Sequence, residues 1–387
     1  MKILILQKAA SSSPCDRWIA EEFPHAEIRI LGERESVRSG ADLDPRTERL
    51  LLDDHQSDEF TRALFDQCRT WRPDRILSNS EFDVLRAAEA RSIFGIPGQK
   101  SASALCFRDK VEMKDLFARA GIAAVPYAVP GCADDLFADL AAMGSVVVKP
   151  RLGAGSVGVR LLDCADDVRT AYAADPAFPR GLHEGQLMLE QFASTDVYHV
   201  DVVVSGQTPF LVSPSRYLHP PHKFADFNTS SAMLDEESRD FKVLDGLARD
   251  FVHALPRGHG ATVLHLEFYK MEDGSFLAGE VACRAGGALV EDSILHTYGV
   301  DIGRMSFLIA CGIAPPEPLE KRLAPPTAWS VATARPIASA GECPDWVIKR
   351  EDRGTPGAAS NSVDGEQVLI EAADHRGLLA RLDELNR

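Results

Sequence analysis

The first hundred residues alternate between short apolar runs and longer amphipathic ones. KILILQ (2–7) and EIRILGE (27–33) are apolar runs of strand length, and DRWIAEEF between them has helical spacing. RPDRILSNSEFDVLRAAEARSIFG then predicts a strand at 75–78 and a helix from Glu81 to Phe94, closed by Gly95 and Pro97. Strand, helix and strand in succession give a βαβ rhythm, and hence a parallel sheet. The charged stretch 34–54 breaks that rhythm and is expected to be an excursion. QKAASSSPC follows the first strand, where a dinucleotide-binding sheet carries G-x-G-x-x-G. This Rossmann-like unit is therefore not expected to hold a nucleotide in the usual Rossmann way.

A helix from Asp109 to Ala120 ends at Gly121, and strand-like runs dominate from there. LMLEQF, VYHVDVVVSG, TPFLVSP, VLHLEFYKMEDGSFLAGEVAC and AWSVATARPIA alternate or run apolar, and EDGS marks a hairpin. Helices are expected over 237–254 and 301–312, and the stretch 213–231 is expected to be a loop between strands. IAPPEPLEKRLAPP predicts a linker into a small α+β tail.

Composition narrows the functional classes. The chain has 387 residues and a net charge of −16, which disfavours a protein whose main task is to hold nucleic acid. Eight cysteines lie scattered without a CxxC pair, which argues against a zinc site or a disulfide framework. The apolar run after Lys2 is too short for a signal-peptide core, and no segment approaches the length of a membrane span. The expectation is a cytoplasmic protein with no membrane partner.

Two stretches carry chemistry. In VVVKPRLGAGSVGVR, Lys149 precedes a glycine-rich loop over 153–158, and a second strand-like run follows it. This order is neither that of a Walker A loop nor that of a Rossmann loop. It predicts a hairpin whose loop folds over a lysine, suited to a nucleotide triphosphate because glycines let backbone N–H groups approach phosphate oxygens. In VLHLEFYKMEDGSFLAGEVACRAGG, His265, Glu267 and Tyr269 share one strand face, and Glu280 and Ala282 lie on the returning strand. Two carboxylates converging on one point favour a cation between them, and magnesium is the natural occupant. Arg284, followed by Gly286 and Gly287, suits a carboxylate or phosphate. Cys283 reads as a small packed residue rather than a nucleophile.

Taken in order, RDKVEMK, VVVKPRLGAGSVGV, LMLEQF, LHLEFY and GEVACRAGG resemble the ATP-grasp superfamily over roughly residues 75–310, closest to carboxylate-amine ligases of the L-amino-acid ligase type. The resemblance implies a mixed α/β and α+β fold. A Rossmann-like pre-ATP-grasp domain would span 1–105, and an ATP-grasp domain 106–313, with subdomains at about 121–189 and 190–313. A Pro-rich linker and small α+β segment would follow over 314–387.

The resemblance also implies roles. Lys110 and Lys149 would meet the phosphates of ATP, and Gly153, Gly155, Ser156 and Gly158 would close over them. Glu190, Gln191 and Phe192 would read adenine, mostly through the backbone of the last two, and Asp196 or His199 would take the ribose hydroxyls. Glu267 and Glu280 would hold Mg2+, although Ala282 stands where the family pattern has Asn. A substrate carboxylate would become an acyl phosphate, and an amine would displace the phosphate, with Arg284, Gly286 and Gly287 stabilising the oxyanion. Stretch 213–231, with Tyr217 and Asn228, would close over the substrate; His265 and Glu291 are further substrate candidates. A carboxylase, a phosphoribosyl-amine ligase and a degenerate ATP-binding module are the alternatives. Small-molecule acid and amine partners and a homodimer are expected.

Overall fold

The computed structural model describes residues 1–7, 14–34, 44–78, 80–155, 157–220, 226–315, 317–319, 321–334, 337, 344–352 and 365–385. The chain begins with β1 (Lys2–Gln7), α1 (Cys15–Glu22), β2 (Glu27–Glu33), β3 (Glu48–Leu52), α2 (Asp58–Thr70), β4 (Arg75–Ser78) and α3 (Val84–Ile93). These strands form a parallel sheet in the order β3-β2-β1-β4. β1 reads as a continuous apolar run because both of its faces are covered. Ile3 and Ile5 pack with Trp18 and Ile19, while Leu4 and Leu6 pack with Phe60 and Leu64. The stretch expected to be an excursion contains an edge strand instead. ERLLL pairs with β2, Leu50 opposite Leu31, because its apolar residues complete the sheet edge; residues 35–43 lie outside the described set.

Next come α4 (Ser101–Cys106), α5 (Lys110–Arg119), β5 (Tyr127–Ala128), α6 (Ala133–Met143), β6 (Val146–Pro150), β7 (Arg160–Leu162), α7 (Ala165–Ala174), α8 (Ala177–His183) and β8 (Leu187–Gln191). The four strands form a small antiparallel sheet in the order β5-β8-β6-β7. Val148 pairs with Arg160, so the hairpin around the glycine loop is present. Strand alternation sends Val146 and Val148 into a core with Leu136 and Val168, and turns Lys149 to the opposite face.

The remaining elements are β9 (Val197–Ser205), β10 (Thr208–Tyr217), β11 (Thr229–Met233), α9 (Arg239–Ala254), β12 (Val263–Lys270), β13 (Phe276–Ala282), α10 (Val290–Tyr298), α11 (Ile302–Ala310), β14 (Thr327–Val331), β15 (Val347–Asp352), β16 (Glu366–Glu371) and α12 (His375–Leu385). Among the described residues the strands make one antiparallel sheet, β13-β12-β9-β10-β11-β14-β16-β15. The stretch expected to be a loop over 213–231 is strand at both ends, since Ser215 pairs with Met233 and Tyr217 with Ser231. The C-terminal strands extend this sheet, with Trp329 opposite Ser231. On the N-terminal sheet, α11 supplies Phe307 and Leu308 to the core that holds Ile3 and Ile5. No helix among the described residues is long and apolar enough to cross a membrane.

Candidate functional site

The small sheet and the large one meet across a cluster of lysines and glutamates. Lys149 Nζ lies 2.6 Å from Glu190 Oε2 and 2.8 Å from Glu280 Oε1. Lys110 Nζ lies 3.3 Å from Glu280 Oε2, and Lys114 Nζ lies 2.6 Å from Glu190 Oε1. Lys110 and Lys114 share one face of α5, four residues apart. The sequence reading used the first and missed the second, though the same spacing in RDKVEMK carried the signal. Lys114 also donates to the Gly279 carbonyl at 2.7 Å, which fastens α5 to β13.

Burial sets the charges. It opposes ionisation of Lys149, but Glu190 and Glu280 overcome this and hold its pKa well above the usual lysine value. Burial also works against the charged form of Glu280, and Lys110 and Lys149 reverse that, keeping its pKa below the carboxylate range. Glu190 is lowered in the same way, against burial, by Lys149 and Lys114. Lys114, the most enclosed of the three lysines, is lowered chiefly by burial.

Glu267 and Glu280 are register partners across β12 and β13, and His265 stands opposite Ala282. Direct partners place their Cβ atoms about 5 Å apart on one face, so the two carboxylates share a locality as expected. Carboxylate oxygens are by type the donors of a hard divalent cation, and Lys149 and Lys110 suit triphosphate oxygens; among the described residues, the side chains whose ligand atoms already lie within 4.8 Å of one another are His199, Asp201 and His265. The glycine loop starts beside the same lysines. Its base is tied down by Lys110 Nζ to the Gly153 carbonyl at 2.9 Å and by Arg108 Nη2 to the Leu152 carbonyl at 2.6 Å. Gly158 has φ +75°, and a Cβ there would sit 3.0 Å from the Pro150 ring, so glycine is required. Gly155 also has a positive φ of +61°, and Ser156 lies outside the described residues.

The hinge residues need correction. Glu190 is not free to face a base, since it is buried between two lysines. The N–H groups of Gln191 and Phe192 are also committed, to the Pro126 and Ser145 carbonyls at 2.9 and 2.8 Å. Antiparallel partners normally exchange two bonds, but Pro126 has no N–H to return. The Gln191 carbonyl is thus what this pair leaves for a donor such as an exocyclic amine. His199 does not reach the ribose position: it is buried, with Nδ1 2.8 Å from Asp201 Oδ2 and Nε2 2.7 Å from Ser231 Oγ. Asp196 is partly exposed and accepts from Arg216 Nε at 2.7 Å.

The residues assigned to the oxyanion are engaged as well. Arg284 donates to Glu81 from Nε and Nη2, at 3.0 and 2.9 Å, and to the Ala285 carbonyl from Nη1, which uses three of its five N–H groups. Glu81 also pairs with Arg108; burial opposes its charge, and Arg284 and Arg108 hold its pKa below the usual value. Sequence reasoning missed Glu81, whose partner Arg284 lies 203 positions away, and Arg108, which pairs with Glu81 from 27 positions off. The Gly286 N–H is spent on Asp201 Oδ1 at 3.0 Å, so it is not an oxyanion donor.

Asp201 organises the remaining candidates. Its Oδ1 also accepts from His265 Nδ1 at 2.9 Å. His265 Nε2 points to Glu267 Oε1 at 3.6 Å and to the Tyr217 hydroxyl at 3.5 Å. Burial disfavours the imidazolium, but Asp201 and Glu267 carry the His265 pKa up to about 9. Tyr217 is held well above its usual value by burial and by the Glu267 and Asp201 charges. Asn228, by contrast, is buried and accepts from the Ala334 N–H at 3.1 Å, which makes it a brace for the C-terminal strand rather than a substrate contact. Cys283 is a packed residue, its thiol pushed up to about 11 by burial.

A crevice lies beside Arg284, lined by Ser78, Arg91, Gln99, Cys283, Arg284 and Glu291 among others. Ser78 ends β4, next to β1, where the strand order of the parallel sheet reverses. Ligands of open α/β sheets bind in such crevices. Glu291 reaches into it from the first turn of α10, over Gly303, where a Cβ would lie 2.9 Å from Oε2.

This architecture, an antiparallel sheet pair clamping lysines and glutamates behind a parallel N-terminal sheet, is the ATP-grasp fold. The chain aligns over its whole length with a solved L-amino acid ligase from Bacillus licheniformis, at TM-score 0.71 and 14% identity, covering 97% of that chain. It also aligns, over 99% of its length and 89% of the other chain, with the biotin carboxylase domain of a Hydrogenobacter thermophilus 2-oxoglutarate carboxylase, at TM-score 0.74 and 13% identity. In sequence it is similar to an L-arginine-specific L-amino acid ligase of Bacillus subtilis, 25% identical over 239 residues, 61% of this chain and 57% of the relative. The chain thus matches less than two thirds of that relative's length. No family model matches it.

Proposed function

We propose that this protein is an ATP-dependent carboxylate-amine ligase that joins an acid to an amine, at least one an amino acid, and releases ADP and phosphate. The observation that carries the proposal is Lys149 held between Glu190 and Glu280, with Glu267 opposite Glu280 on the next strand. The similarity to an enzyme named for L-amino acid ligation supports the substrate class.

In this reading Lys149 and Lys110 neutralise phosphoryl oxygens under the loop 153–158, and the Gln191 carbonyl accepts from the base. Asp196 faces the ribose. Glu267 and Glu280 are the residues that would hold Mg2+, which supplies charge neutralisation at the transferring phosphoryl group. Arg284, with two N–H groups to spare, and the Gly287 N–H stabilise the oxyanion formed when the amine attacks the acyl phosphate. The crevice holds the amine, with Glu291 facing its ammonium group. A domain boundary at 105/106, pairing through the N-terminal domain and a cytoplasmic setting belong to the same proposal, whereas the expected boundary at 313/314 does not, since β14, β15 and β16 continue the sheet of β9–β13.

The test is phosphate release from ATP and magnesium over pairwise pools of amino acids and small acids, with mass spectrometry of active pools. Release that needs two co-substrates, with a product lighter than their sum by one water, is the expected result. ATP binding without release in any pool would instead favour the degenerate binding module.

A further inference from the structure

The face that carries Glu267 and Glu280 has a third donor. In the ladder, Ala282 stands opposite His265, so the returning strand offers only a methyl group at that level. The His265 ring lies over that level and against the next loop, where a Cβ on Gly286 would come within 2.8 Å of Nδ1. Nδ1 is committed to Asp201 Oδ1 at 2.9 Å, and an ionised carboxylate accepts only, so the ring proton sits on Nδ1. Nε2 is left facing Glu267 Oε1 at 3.6 Å and the Tyr217 hydroxyl at 3.5 Å, which an incoming ion would displace.

We propose that His265, through Nε2, is a ligand of the divalent cation held by Glu267 and Glu280, with Asp201 as the carboxylate that orients it. Two ligand atoms at right angles on one such ion, each about 2.1 Å from it, lie roughly 3 Å apart. The observed separation closes to that value with a shift of about half an ångström, within the reach of the Glu267 side chain. A ligating histidine typically gives its other ring nitrogen to a carboxylate, which is the arrangement Asp201 and His265 already make. Asp201 is itself fixed by His199 and by the Gly286 N–H, so the carboxylate that orients the His265 ring is held in place. Any proton on Nε2 leaves as the ion binds.

One consequence is selectivity. An imidazole among carboxylates favours first-row transition ions over magnesium, so this site would bind Mn2+ more tightly than Mg2+. A second consequence is exchange of donors. Asn at 282, directly opposite, would supply an amide oxygen at the level where His265 now supplies nitrogen.

The proposal rests on the ATP-site reading above, and the experiment separates the two. Mn2+ bound to the full chain with ADP is examined by pulsed electron paramagnetic resonance. The wild type should show coupling to an imidazole nitrogen, His265→Ala should lose it with about tenfold weaker Mn2+ binding, and His199→Gln should keep it. The variant combining His265→Ala with Ala282→Asn should recover affinity without the nitrogen signal, which guards against misfolding as the cause. Mn2+ bound and lost on Glu280→Gln, but with no nitrogen coupling in the wild type, overturns the His265 ligand and leaves the ATP-site reading standing. A nitrogen signal lost only on His199→Gln would place the ion inside the Asp201 cluster and overturns it too. No Mn2+ binding with ADP overturns both.

Discussion

Lys149 Nζ, on the small sheet, stands 2.8 Å from Glu280 Oε1, on the large one. Neither strand could bury its charge alone, since an isolated buried ion costs several kcal/mol. The pair therefore couples the relative position of the two sheets to the charges that would face a triphosphate.

Lys149→Ala removes the cation shared by Glu190 and Glu280. We expect turnover to fall by roughly a hundredfold or more, as when one transition-state donor is removed. Stability should fall by less than the roughly 3–5 kcal/mol of a broken buried pair, because Lys114 remains on Glu190 and Lys110 on the partly exposed Glu280. Circular dichroism with a melting curve, alongside the phosphate assay, checks both. Unchanged turnover would remove Lys149 from the site.

Lys114→Met separates scaffold from chemistry. Lys114 ties α5 to Glu190 and to the Gly279 carbonyl, behind Lys149. The expected outcome is a clear loss in melting temperature with a smaller change in ATP affinity than Lys149→Met produces. An ATP affinity lost equally in both variants would make Lys114 a direct phosphate contact.

The pH dependence of stability has a definite sign. Glu280 and Glu190 have folded-state pKa values below the ordinary one, so their contribution is present above the unfolded value near 4.5 and is lost as pH falls through the folded values. Lys149 is shifted upward, so its contribution is present below 10.5 and is lost only in strong alkali. Denaturant titrations should show a plateau from this cluster between those limits and a decline in acid. Glu280→Gln should flatten the acid limb, and an acid limb identical to wild type would exclude Glu280 as its source.

Gly286→Ala probes the packing against His265. A Cβ at 286 meets Nδ1 at 2.8 Å and a Val290 methyl at 2.9 Å. Overpacking of this kind costs about 1–3 kcal/mol. We expect that loss in chemical denaturation, together with weaker Mn2+ binding as the ring is displaced. Gly246→Ala, where φ is likewise not positive and nothing lies within 4 Å of the added Cβ, is the control.

Much of the scaffold was legible in the chain. The apolar run 2–7, the hairpin around 153–158 and the facing pair Glu267 and Glu280 all follow from strand period and turn chemistry, which are local. The same local signals misread 34–54 and 213–231, because a charged surround hid β3 and a run of Pro, His and Asn hid the strand ends around Tyr217 and Thr229. Which side chains were already spoken for could not be read that way. Residue type marks Arg284, Gly286, His199 and Asn228 as donors or acceptors, but Glu81, Asp201, Ser231 and Ala334 claim them from distant parts of the chain. Sequence period fixes the face on which a residue points, since that depends on the backbone nearby. Only the tertiary structure decides whether its hydrogen-bonding capacity is still unspent, because burial forces each polar group to find a partner wherever the fold brings one.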